Sequence, residues 1–116
     1  MDIPEFSLEI TPKALNHIHF LITELKCPED AALVMSDKRV IGSGYEIKVF
    51  PLSRIKDSLN YICLFEKEYK KHGFPIFVDT QLISERYLPR RFVIDILINS
   101  KDQNILDVKN PIFETY

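Results

Sequence analysis

Two cysteines, three histidines and a scattering of carboxylates are the side chains of this 116-residue sequence that could do chemistry. Neither Cys27 nor Cys63 lies in a CxxC or Cys/His spacing of the kind that fixes zinc or a redox pair, and two cysteines cannot build a disulfide framework. Cys63 alternates with Ile62 and Leu64 and reads as a small hydrophobe inside a strand. Cys27 precedes Pro28 at the end of a predicted helix, where the helix dipole disfavours a thiolate. His17 and His19 sit two apart on that helix and point about 200° apart, so they cannot grip one ion together. They flank its apolar stripe on the polar side. His72 beside Gly73 reads as a solvated turn residue. The Gly42-Ser43-Gly44 run lacks the lysine and following helix of a phosphate loop, which makes it a glycine turn. No Ser/His/Asp order and no HExxH motif occurs, so no catalytic residue and no enzyme activity is expected.

Recognition is the better use of the remaining candidates. Phe20 is the one large apolar side chain on the helix's outward face, Tyr69 lies among lysines, and Arg90-Arg91 with Arg86 forms a small basic group. Fifteen basic against seventeen acidic residues give a net charge of −2, so no global field draws the chain to nucleic acid or to an anionic membrane. Phe20, Tyr69, Arg90 and Arg91 are therefore candidates for a protein-binding surface, with a homodimer as one form of partner. A small-ligand or regulatory module using Gly42, Ser43 and Gly44 with the Arg90-Arg91 region is the alternative.

These residues must be positioned by one domain spanning 1–116, since 46% hydrophobic residues at this length supply one core without disulfides or a structural metal. Phe6 to Ile10 alternates as a strand. Thr11-Pro12 then starts a helix, threonine as cap and proline at the first helical position. Apolar residues at Ala14, Leu15, Ile18, Leu21, Ile22 and Leu25 carry it to about Lys26, and Cys27-Pro28 ends it. Ala31 to Met35 and Tyr45 to Phe50 read as two strands joined by a glycine-containing turn. Tyr61 to Phe65 and Phe74 to Val78 flank a charged segment, giving a hairpin with a long tip. Gln81 to Leu88 holds a helical turn or two, Phe92 to Ile98 is a strand, and Ile105 to Val108 a last short one. The expected class is α+β, mainly β, with one N-terminal amphipathic helix laid across a sheet. No signal-peptide pattern opens the sequence and no run approaches 18 apolar residues, so the expectation is a chain of the cytoplasm with reduced thiols.

Taken in order, several segments resemble the HesB/IscA family of A-type iron-sulfur carriers. Leu8-Glu9-Ile10-Thr11-Pro12-Lys13-Ala14 is similar to that family's opening strand and T-x-x-A helix start, and Ser43-Gly44-Tyr45 to its C-S-G turn. Phe65-Glu66, Gly73 and Ile76-Phe77-Val78-Asp79 resemble its F-E…G…V-D hairpin. Tyr87-Leu88, Ile94-Asp95 and Val108-Lys109-Asn110-Pro111 match its Y-L, I-D and N-P landmarks. The resemblance implies a HesB-like domain, a compact mixed β-sheet or half-barrel, usually assembled as dimers or tetramers. It also implies three cysteine ligands, and the sequence departs from them. Gly42 stands where the first is expected, and the C-x-C pair expected beyond Asn110-Pro111 does not occur before Tyr116. Clusters are held chiefly by thiolates. The expectation is a divergent member that carries no metal ligand and no cofactor, and that acts by protein binding in or near iron-sulfur assembly or sulfur metabolism. The alternative is weak iron or cluster binding through Cys63 and Cys27 across an oligomer.

Overall fold

Thr11 is where the backbone turns from strand to helix, and one side chain does two jobs there. In the computed structural model, which describes residues 6–25, 30–37, 45–55, 59–65, 70–98 and 101–113, its hydroxyl accepts the Ala14 N–H at 3.2 Å as a helix cap and donates to Asp95 at 2.7 Å. Helix α1 (Pro12–Thr23) follows, with Pro12 at its first position and Ala14 and Ile18 fully buried. It is shorter than the apolar stripe predicts, and residues 26–29 lie outside the described segments.

The strands form two sheets. In the first, β1 (Ser7–Ile10) runs parallel to β6 (Arg91–Ile98), which pairs antiparallel with β7 (Asn104–Ile112). The second has the order β3-β2-β5-β4, from β2 (Ala31–Asp37), β3 (Tyr45–Pro51), β4 (Tyr61–Leu64) and β5 (Ile76–Asp79). β2 pairs antiparallel with β3 and parallel with β5, and β4 with β5 is the expected hairpin. β3 lies beside β7, bringing the two sheets together along one side. The inner faces of both sheets, with α1 and the buried Leu82 and Leu88, enclose one continuous apolar core. The architecture is thus α+β and rich in strand.

The helical turn expected after β5 is a short helix, α2 (Thr80–Ser84), that begins directly on the strand, capped by Asp79, whose carboxylate accepts the Gln81 N–H at 2.9 Å. One detail differs from the sequence reading. β7 is twice as long as expected and runs through Asn110-Pro111. The pairing slips between Arg91 and Val93 on β6 and Ile112 and Lys109 on β7, which places one more residue on the β7 side. Asn110 has φ +52, a left-handed backbone that asparagine tolerates, and proline sits where a bulged edge strand needs no N–H for the ladder. The N-P pair ends the regular ladder without ending the strand. In the β4–β5 connection Gly73 has φ +85; a Cβ there would meet no atom within 4 Å, so it is the backbone conformation that requires glycine.

Candidate functional site

The sequence candidates separate in space. Phe20 is 58% exposed on the outer side of α1, its ring stacked on His17 at 6.3 Å. Arg90 and Arg91 lie at the entry to β6. Tyr69, the Gly42, Ser43 and Gly44 turn and Cys27 lie outside the described residues. His72 is half-buried rather than solvated, stacked on the buried Phe74, whose ring edge also meets His19. Gly73 folds the chain back so that the histidine covers its own neighbour.

Cys63 corrects an expectation. It is exposed, not interior. β4 is an edge strand, and Cys63 stands opposite Phe77, so both belong to the outer face of the four-stranded sheet while Ile62 and Leu64 turn toward the inner one. The alternation read correctly as a strand, but the face assigned to the thiol was the wrong one. Among the described residues no group of three or more His, Cys, Asp or Glu is arranged to hold a metal ion.

The motif residues carry structural work. Asp95 accepts the Thr11 hydroxyl and, at 2.8 Å, the Ile96 N–H on one oxygen, and Lys109 of β7 reaches the other at 3.3 Å. The Thr11 hydroxyl, then the Ile96 N–H, hold its carboxyl below the usual carboxylate range, with Lys109 adding to them. This carboxylate locks the start of α1 to β6 and β7. Phe65, at φ +58, puts its ring edge-on against the buried Phe92 at 5.8 Å and so ties the end of β4 to the other sheet. The Tyr45 hydroxyl donates to the Tyr87 carbonyl, fastening β3 to the loop that leads to Arg90. A polar groove of about 430 Å³ lies between Asn60, Tyr61, Asp79, Thr80, Gln81 and Ser84. Its Asp79, Thr80 and Ser84 side chains already bond to the neighbouring backbone.

One end of the three-stranded sheet is different. The Ser7 N–H donates to the Arg90 carbonyl and the Arg90 N–H to that of Ile112, so the entry to β1, the entry to β6 and the exit of β7 form one row. The Arg90 guanidinium lies over the Phe6 ring at 5.9 Å, and its buried Nε has no hydrogen-bond partner. At the strand ends that meet in this row and in the loop leading to Arg90, Ile112, Phe113 and Tyr87 are 45, 56 and 53% exposed. The sequence reading named the arginines but missed these apolar neighbours, because Ile112-Phe113 looks like the apolar end of any strand. The available signal was Asn110-Pro111, which marks the bulge that precedes them.

No protein-family profile and no curated protein sequence matches the chain. Comparison with solved structures finds the crystal structure of Escherichia coli SufA, a protein involved in the biosynthesis of iron-sulfur clusters, at a TM-score of 0.55 and 16% sequence identity, covering 95% of this chain and 85% of that one. The chain shares the fold of SufA. At this identity it is a likeness of fold.

Proposed function

We propose that the chain is a non-catalytic member of the iron-sulfur biogenesis machinery, acting in the cytoplasm through contact with a protein partner and holding no cluster of its own. The observation that carries this reading is the SufA-like fold over 95% of the chain combined with glycine, Gly42, where the family resemblance calls for a thiolate. Glycine offers an iron atom no side-chain ligand. Cys63 on the outer face of β4 is no substitute in one protomer, since a cluster is held by several thiolates converging on it. What the fold then offers is its surface. The HesB-like half-barrel and the possibility of a homodimer belong to the same reading.

Anaerobic reconstitution with ferrous iron and sulfide, followed by desalting and absorption spectroscopy, tests it. The expected result is no stoichiometric visible cluster band. A stoichiometric band abolished by Cys63→Ala overturns it and establishes a second reading, in which the exposed Cys63 thiols of two protomers, with Cys27, hold iron across an oligomer.

A further inference from the structure

The unusual end of the three-stranded sheet has the composition of a binding hot spot. Arg90 lies over the Phe6 ring and its N–H bonds to the Ile112 carbonyl, with the exposed Tyr87 three residues before it and the exposed Phe113 next to Ile112, and aromatic side chains with arginine are the residue types that carry most interface energy. Among the described residues no carboxylate pairs with Arg90, whose contact is the Phe6 ring. Arg86, exposed at the foot of the same loop, adds a second positive charge, in a backbone held at φ +59. The segment from Glu85 to Arg91 thus carries three arginines and one glutamate in a chain whose net charge is −2. The bulge at Asn110 re-aims the end of β7, and Ile112 and Phe113, which follow it, stand half-exposed.

We propose that this end docks an acidic, apolar segment of a partner protein: a carboxylate pairs with the Arg90 guanidinium, and an aliphatic or aromatic side chain covers Phe113 and Tyr87. Charge decides the occupant. A second copy placed symmetrically would bring Arg86 and Arg90 against their own counterparts, which disfavours self-association through this face. A single-stranded nucleic acid would match the arginines and could stack a base on Tyr87 or Phe113, but a chain of net charge −2 offers no field to draw it. An acidic peptide with apolar anchors matches both features, and the planar guanidinium suits a carboxylate. The proposal rests on the reading of the chain as a partner-binding scaffold, and it names where and with what chemistry that contact is made.

Random-peptide display on the full 116-residue chain, followed by fluorescence anisotropy with an enriched peptide, tests it. Enriched peptides are expected to combine Asp or Glu with Leu, Phe or Tyr. Arg90→Gln should weaken binding at least tenfold and Phe113→Ser about fivefold, while Phe20→Ser, at an exposed position of α1 outside the proposed patch, changes nothing. Because Arg90 packs on Phe6, the exposed Arg86→Gln serves as a second variant that leaves the fold intact by circular dichroism, with a loss of about threefold that shrinks in high salt. The proposal is overturned by no enrichment, by enrichment without acidic residues, by binding unaffected by all three patch variants, or by tighter binding of a single-stranded oligonucleotide. A dimer in sedimentation that Phe113→Ser dissolves overturns it in favour of a second copy. None of these outcomes bears on the reconstitution test above, so the two readings fail separately.

Discussion

The two faces of the four-stranded sheet are made by the same strands yet hold very different amounts of apolar material. On the inner face Leu33 and Met35 of β2, Ile76 and Val78 of β5 and Ile47 of β3 join residues of the other sheet and of α1 in a core that, among the described residues, holds fourteen buried side chains. On the outer face, among the described residues, Ala32, Val34 and Phe77 join Ile55, which follows the 3-10 turn Leu52–Arg54, with Phe50, Leu52 and Tyr61 at the margin. Alternation along β2 and β5 feeds both layers. The difference explains why these two central strands appear as continuous apolar runs, whereas β1 alternates. It also explains Cys63: a thiol on the outer face of the edge strand lies at the rim of the thin layer, where little remains to cover it.

The largest effect should separate these layers. Ile94→Ala, at a position 1% exposed between the sheets, is expected to cost about 3 kcal/mol in urea denaturation, within the range for buried isoleucine. Ile55→Ala should cost less, about 1 to 2 kcal/mol, because a short turn can settle into the space left by the lost atoms. Equal losses would show that the outer layer is a full second core. A smaller effect tests how the inner core is fastened at its margin. Thr11→Ala removes both the cap on Ala14 and the donor to Asp95, and should lower stability by about 1 to 2 kcal/mol, while Thr11→Ser, which keeps the hydroxyl, restores most of it.

Much of this was readable in advance, and what was missed has physical causes. Thr11-Pro12, the stripe through Ala14 and Ile18, and the β2–β3 and β4–β5 pairs follow from local rules of capping and periodicity. The face of a strand does not: Cys63 alternates equally well with either parity inward, and only the position of β4 at the sheet edge decides. The division into two sheets was equally hidden, since β1 pairs in parallel with β6, more than eighty residues away, through contacts that leave no local trace. The binding candidates were half legible. Arg90 and Arg91 stood out by charge, but their neighbours come from three strand ends that only the fold assembles. Of the landmark residues, Asp79, Asp95 and Asn110 serve as cap, latch and bulge, which is why they suggested the fold better than they suggested the chemistry.

The smallest expected effect sharpens the contrast between the tightly fastened α1 end and the rest of the surface. Asp95 has its carboxyl held below the ordinary range, first by the Thr11 hydroxyl and next by the Ile96 N–H. A carboxylate with a lowered folded-state pKa contributes stability that is fully present above its unfolded value near 4 and is lost as pH falls through the folded value. Asp95→Asn keeps the size and one acceptor oxygen but removes the charge that Lys109 meets at 3.3 Å. The variant should therefore melt below the parent at pH 7, and the gap should narrow steadily as pH falls from about 4, because the parent then loses the same charge. Added salt should shrink the gap at pH 7 only slightly, since the hydrogen bonds, which salt does not screen, make the larger contribution. A gap that persists unchanged at pH 2 would mean that the aspartate is needed for its shape alone, and the α1 end would then be held by packing in the same way as the rest of the core.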